Sequence, residues 1–470
     1  MEVDVWIKNG FVYLDGTFEK KDVGIAGEKI AVYLEPGGEV QARQIIDAEG
    51  QYVIPGMIDF HTHIREPGVE EKEDYESGTR AAAHGGVTTV CVMPNNLTRG
   101  IAKPEDFAHA IECGEKHAVV DFVPIPSPLA FHQGSIPELT EMGASYFKIM
   151  EMKNTKFPLE ENFRCGDTWE LDQCMAEVAK YHKYISIHPM DMDWYLGNVN
   201  RIKNGKEPQD LLHVLCRLYG EEEMSSAAWQ LAYFFRKNRC KWLALHTWHK
   251  GYIDLVRMLK QYGKEHPGER MDILSSCEIL PTSIRNFDTL YNRATGEKIS
   301  LGHAAKPDWD AIWDAVNDGT IDILGSDHSP HLAEHYHPET PFASAQGVPG
   351  EDYYGSLLLD AVNRHKLTME RLVEVTSVNG ARAFGWKEKG TNRIGTDADF
   401  TICDLRKTWT VDDSFPIYSK PNLDPLYGQT LEGKVTHTIV RGKVVMAEDN
   451  ILAAAGYGTY VRPEPLSYNA

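Results

Sequence analysis

The chain has 470 residues, 42% of them hydrophobic and 25% charged, with a formal net charge of −21. That length suits one large α/β domain with an accessory domain, and the apolar share is ample for a packed interior. The acidic balance, with no long basic run, argues against a nucleic-acid partner, whose phosphates need a positive face.

The eight cysteines, at 91, 113, 165, 174, 216, 240, 277 and 403, form no CxxC pair, and several sit inside apolar runs such as "TTVCVMPN". They read as reduced thiols of a cytoplasmic protein, not as a disulfide framework. The opening "MEVDVWIKNG" is acidic early and lacks a positive n-region followed by an apolar h-region, so no signal peptide is expected. No uninterrupted apolar stretch is long enough to span a bilayer, so no membrane partner is expected either.

In chain order, "VDVWIKNGFVYLDG", "KDVGIAGEKIAVYL" and "RQIIDAEGQYVIPG" read as short strands broken at NG and DG turns. The far end returns to that style in "DADFTICDL", "TWTVD" and "HTIVRGKVVMAEDN". Residues 1–54 and 391–470 are therefore expected to build one small accessory β-sandwich domain together. Between them, apolar runs recur as "GMIDFHTH", "VTTVCVMP", "VVDFVPIP", "SYFKIM", "YISIHP", "WLALHT", "MDILSSC" and "IDILGSD". Helix-like stretches such as "YESGTRAAAHGG" and "TWELDQCMAEVAKYH" separate them. Eight such runs over residues 55–390 predict a (β/α)8 TIM barrel. The competing open doubly wound sheet lacks a GxGxxG after its first strand. The long polar region from Met190 to Glu223 is expected to be an elaborated loop over the barrel mouth.

Barrel active sites form where strands end and the following loops begin. The first run ends in His61 and His63, which alternation places on one face, where both can converge on a metal. The fourth ends in Lys148, the fifth in His188, the sixth in His246 and the eighth in Asp327. Each alone has a bland reading: a hydrogen-bonded histidine, a snorkelling lysine, a helix N-cap aspartate. Together, at equivalent ends of five strands, they form the donor set a metal site requires. An ammonium among those histidines would be repelled by a divalent ion and costly to desolvate. Reaction of Lys148 with carbon dioxide would turn it into a carbamate able to bridge two metals, which predicts a binuclear site.

These motifs resemble the cyclic-amide branch of the amidohydrolase superfamily, which holds dihydroorotases, allantoinases, hydantoinases and dihydropyrimidinases. The resemblance runs nearly full length through "PGMIDFHTHIREPG", "ESGTRAAAHGGVTTVCVMPN", the "FK" of Lys148, "GSDHSPH", "RLVEVTSVNGARAFG", "IGTDADFTICDL" and "HTIVRGKVV". It implies a hydrolase that opens the C–N bond of a cyclic amide, imide or ureide. His61 and His63 would bind the first metal, His188 and His246 the second, N6-carboxylated Lys148 would bridge them, and Asp327 would complete the first. The two divalent ions are expected to be zinc, with manganese, iron or nickel as alternatives. The resemblance further implies that a bridging hydroxide attacks the carbonyl with Asp327 as general base and then acid. It also implies a homo-oligomer, dimer or tetramer.

In the dihydroorotase pattern an arginine, an asparagine and a histidine hold a substrate carboxylate, and Arg65, Asn95 and His331 stand at the matching positions. A guanidinium offers the paired donors a carboxylate accepts. The plainer reading pairs Arg65 with Glu66 or Glu70. Three segments depart from the family pattern: "KIMEMKNTKF" lacks the tyrosine that follows the lysine in hydantoinases, "CEILPTS" replaces a proline-histidine, and "LGHAAKPDWDAIW" replaces a proline-proline-leucine-arginine segment. The other functional class open to such a chain is a catalytically inactive, dihydropyrimidinase-like scaffold protein, and such relatives lack the metal ligands present here. A mononuclear deaminase on the same barrel would have no use for Lys148.

Overall fold

The computed structural model describes residues 2–38, 40–94, 100–128, 134–149, 151–152, 164–165, 167–269, 271–278, 289–301, 309–337, 339–345 and 347–464. Asn95 lies outside these residues, as do most of the segments that follow Lys148, Glu278 and Leu301 and carry the three departures from the family pattern.

All eight apolar runs of the middle region are strands. They are Met57–Thr62, Val87–Val92, Asp121–Pro124, Tyr146–Ile149, Tyr184–Ile187, Lys241–Ala244, Ile273–Glu278 and Ile323–Gly325. Every neighbouring pair within the two sheets they form is parallel, with Val90 opposite Asp59, Lys148 opposite Ser186, Ile187 opposite Ala244 and Glu278 opposite Gly325. Backbone hydrogen bonds join the two sheets into a ring. Lys148 N donates to Pro126 O (3.0 Å), Asp327 N to His61 O (2.9 Å), and His63 N to His328 O (2.7 Å). The strands are buried along almost their whole length, as parallel strands covered by helices must be. Ile58, Cys91, Val123, Tyr146, Leu243, Leu274 and Ile323 from around the ring share one apolar cluster with Phe384 and Trp386.

The connecting helices carry their own start signals. Tyr75–His84 begins at Asp74, whose side chain accepts from Ser77 N in a capping box, and Thr168–Ala179 begins at Asp167, which accepts from Glu170 N. Lys250–Glu265 buries Tyr252, Ile253, Leu255, Val256 and Leu259, an apolar stripe of helical period. The region around Met190–Glu223 is helical, contrary to the expected loop: Met192–Lys203 and Leu211–Leu218 precede the helix Glu221–Asn238. Asp191 caps the first of these by accepting from Asp193 N and Trp194 N, and Met190, Tyr195, Ile202, Val214 and Leu218 form a small core beneath the polar faces.

The two β-rich ends join in one nine-stranded sheet. Tyr52–Pro55, the last strand before the barrel, pairs antiparallel with Phe400–Thr410, with Ile54 opposite Thr401. Val5, Ile7, Val23 and Ile25 from the N-terminal strands share a core with Phe400, Ile402 and Ile439 from the C-terminal ones. The DG dipeptide Asp15-Gly16 makes the first hairpin turn as expected, with φ of 47° and 92°. The NG dipeptide instead sits inside the strand Glu2–Leu14, where Asn9 (φ 62°) and Gly10 mark a break in register with the next strand. A buried ion cluster ties this sheet to the barrel: Lys389 Nζ lies 2.5 Å from Asp121 Oδ2 and 2.7 Å from Asp399 Oδ2, and Arg441 also contacts Asp121. Charges this deeply placed persist because each has its counter-charge at hand.

Candidate metal centre

The C-terminal ends of the first and eighth barrel strands bring His61, His63 and Asp327 together. One ligand atom from each lies within 4.8 Å of the other two. His63 Nε2 is 3.0 Å and His61 Nε2 3.6 Å from Asp327 Oδ1. The ring of His246 stands 5.1 Å from that of His61, and His188 stands edge-on to His246 at 4.5 Å. Lys148, fully buried on the fourth strand, is close enough for its charge to act on both His61 and His188. The six residues singled out as ligands thus gather at one end of the barrel.

Backbone strain accompanies this convergence. His246 (φ 54°) and Asp327 (φ 50°) both hold the left-handed conformation that side-chain-bearing residues seldom adopt, and that persists only where the surroundings enforce it. Gly325 makes room for the arrangement, since a Cβ there would sit 2.9 Å from the Cβ of His61.

The electrostatics favour lone pairs over protons. Desolvation, then the Lys148 charge, lowers the affinity of His61 for a proton. Desolvation lowers His63 to about 3 despite the pull of Asp327, and desolvation with His246 and Lys148 holds His188 well below the usual range. These imidazoles are neutral at physiological pH, the state in which they bind cations. Desolvation resists ionisation of Asp327, but His61 and His63 outweigh it and keep the carboxylate charged. Neutral imidazoles around an ionised carboxylate are a donor set that fits a divalent ion.

One participant escaped the sequence reading. Glu278, the last residue of the seventh strand, is buried (1% exposed) between two of the histidines. Its Oε2 lies 2.8 Å from His246 Nδ1 and accepts from His246 N at 3.0 Å, and its Oε1 lies 3.6 Å from His61 Nδ1. Ser276 Oγ donates to the same Oε1 at 2.7 Å. Neither Nδ1 makes a well-aligned hydrogen bond, so the described hydrogen bonds of the carboxylate come from His246 N and Ser276 Oγ. Burial works against the carboxylate, and His246 and His61 more than offset it. The strand-end rule that singled out the other ligands, applied to "ILSSCE", would have found it.

Beside the metal-type cluster lies a cationic one. Arg65 is buried (4% exposed), and its Nη2 donates to Ser329 Oγ at 2.7 Å, while its Nε has no hydrogen-bond partner among the described residues. The plainer pairing does not form. Glu66 is engaged by His117 Nδ1 (2.6 Å) and Tyr75 N (2.9 Å), and Glu70 accepts from Gly68 N (2.7 Å). Desolvation pulls the Arg65 guanidinium down to about 10, still charged at neutral pH. His331 is held neutral by desolvation together with the nearby charges of Arg65 and Lys72. Lys72 and Ser329 were not legible as site residues, because each sits in an ordinary polar loop sequence.

Fold and site together define a (β/α)8 barrel protein with a metal-type donor cluster at its strand ends. The chain matches the model of the Amidohydrolase family over residues 52–445, and it belongs to that family. It is 30% identical to a dihydroorotase of Methanothermobacter thermautotrophicus over 91% of each chain. It is 26% identical to an allantoinase of Escherichia coli over 98% of this chain and 99% of that one. The solved L-hydantoinase (dihydropyrimidinase) from Arthrobacter aurescens superposes with a TM-score of 0.86 at 25% identity, covering 98% of this chain and all of that one. The chain falls in the cyclic-amide hydrolase branch of the family.

Proposed function

We propose that the protein is a binuclear metal-dependent hydrolase that opens the C–N bond of a cyclic amide, imide or ureide bearing an acidic group. The observation that carries this reading is the gathering of His61, His63 and Asp327 within 4.8 Å, beside the His188–His246 pair. His61, His63 and Asp327 would hold one ion and His188 and His246 the other, with N6-carboxylated Lys148 shared between them. Zinc suits these donors best, with manganese, iron or nickel as alternatives. When bound, such ions supply Lewis acidity to a carbonyl and lower the proton affinity of water.

Asp327, ionised and 3.0 Å from His63 Nε2, would accept the proton of the attacking water and return it to the leaving ring nitrogen. Glu278 holds the backbone of His246 and would orient the His61 and His246 rings from behind once they bind metal. Arg65 and His331, with Asn95, would hold the acidic group of the substrate. A buried guanidinium with no described carboxylate in ion-pair contact supports that assignment, because its charge awaits a ligand.

Around the site we place a barrel of residues 55–390 and an accessory domain of residues 1–54 and 391–470. We also infer a cytoplasmic homo-oligomer, dimer or tetramer. Free cysteines at 91, 113, 174, 216, 240, 277 and 403 agree with a reducing compartment, and exposed Trp169, Trp229 and Tyr233 offer a face to a second subunit. Among the described residues no helix is long and apolar enough to cross a membrane.

The test is metal analysis of the purified chain with a hydrolysis panel of dihydroorotate, allantoin, hydantoin and dihydrouracil. About two divalent ions per chain and turnover of at least one ring are expected. A chain that binds no metal and turns over no ring is the inactive scaffold instead.

A further inference from the structure

The cationic cluster beside the metal-type site contains a lysine whose position calls for an explanation. Lys72 is only 7% exposed, and no described carboxylate makes ion-pair contact with it. Desolvation, then Arg65, weighs against its charge, and Glu71 is the acid whose charge pulls the other way. Two turns bring it there: Val69 N donates to Arg65 O and Lys72 N to Val69 O, each at 3.0 Å, folding the loop after the first strand back on itself. The next residue, Glu73, is spent elsewhere, on His328 Nε2 (3.2 Å) and Ser419 Oγ (2.7 Å).

Lys72 Nζ lies 3.4 Å from Nδ1 of His331. An ammonium can only donate. The contact therefore requires Nδ1 to be the acceptor, and the single proton of the neutral ring resides on Nε2. A lysine serving the fold alone would be replaceable by an apolar side chain of similar length, without the cost of burying a charge near a guanidinium.

We propose that Lys72 is a positioning residue for an anionic substituent of the substrate: it locks His331 as the Nε2–H donor and, with Arg65, leaves a positive charge that a ring carboxylate neutralises. The proposal rests on the acidic-substrate reading given above and adds to it the group that sets the state of His331.

The test uses the full-length, metal-loaded enzyme with K72M and K72R, compared on dihydroorotate and on dihydrouracil, the same ring without the carboxylate. Each ring is measured as a substrate where it is turned over and as a competitive inhibitor otherwise. For K72M, KM or the inhibition constant for dihydroorotate should rise about tenfold or more, with kcat and the dihydrouracil constants within about twofold. K72R should recover most of that loss, since it restores a donor and a charge. Equal weakening toward both rings, or a fall in kcat at constant KM, would assign Lys72 to the fold or the chemistry and overturn the proposal. So would an unchanged K72M in a wild type that prefers dihydroorotate. A wild type that binds both rings equally overturns the acidic-substrate reading, and the role of Lys72 with it. Thermal melting of K72M that matches wild type excludes misfolding. If K72M fails to fold, K72Q, which keeps a donor but removes the charge, carries the test with the same split expected between dihydroorotate and dihydrouracil.

Discussion

Two clusters of polar groups adjoin at the barrel mouth, and they are built on opposite electrostatic plans. Around His61, His63, His188 and Asp327 the imidazoles are neutral, and the nearby carboxylates Asp327 and Glu278 are ionised. Around Arg65, Lys72 and His331 the cations have no described carboxylate in contact, and the histidine is kept neutral by burial and then by their charge. The first set is rich in electron pairs and suits a cation. The second is rich in protons and suits an anion. Each is costly alone in a desolvated cleft, and each is completed by a different kind of ligand.

Removing one member from each set should therefore fail in a different way. The largest effect is expected from Lys148→Ala, which should lower activity about a thousandfold or more and release at least one metal ion per chain. Metal analysis beside kinetics checks it, and an unaffected enzyme would break the binuclear reading. Arg65→Ala should leave metal content intact while kcat/KM on a carboxylate-bearing ring falls roughly a hundredfold, the scale of a lost charge-assisted pair. Unchanged kcat/KM on the best substrate would remove the anion-binding side of the comparison. Glu278→Gln should weaken metal binding by roughly tenfold or somewhat more, measured by chelator competition, with a smaller change in KM.

The smallest effect sharpens the contrast from outside both clusters. His84 is a buried histidine in the opposite state. Desolvation disfavours its charge, but Asp352 (3.1 Å) and Asp449 (3.3 Å) outweigh it and raise its proton affinity. A histidine raised in the folded state contributes stability that is full below its unfolded value of about 6.5 and is lost as pH rises through the folded value. His84→Gln should therefore cost about 1 kcal/mol or more in urea unfolding at mildly acidic pH and progressively less at alkaline pH. A gap that widened with pH would reverse the assignment.

Much of this architecture was legible because barrel strands write two signals at once, an apolar run and a polar residue at its C-terminal end. "MIDFHTH" and "IDILGSD" each carry both. Glu278 was harder to see because the apolar run "MDILSSC" stops one residue short of it, and its function lies in what stands in front of it. Lys72 was harder still. Nothing local marks a lysine in "EEKED" as buried, since a turn closed by Val69 and a contact with a histidine 259 residues away decide it. The helix Met192–Lys203 was hidden by its polar residues, with few apolar positions to stand out, and the apolar run "LLHVLCRL" of the next helix was masked by the polar stretch before it. Asn9-Gly10 followed turn chemistry but served as an irregularity within a strand, because pairing with the neighbouring strand outweighed the local preference.

The hydrogen bonds that shut the barrel, from Asp327 N to His61 O and from His63 N to His328 O, run through the very residues that gather at its mouth. His63 and Asp327 lie 264 residues apart in the chain. Closing that long loop and assembling the donor set are thus a single event in folding. A ring left ajar holds no site, and any cation shared by the two ends acts as a rivet across the last join. Exchange of the Asp327 and His63 amide protons therefore reports at once on the integrity of the barrel and on the readiness of its chemistry.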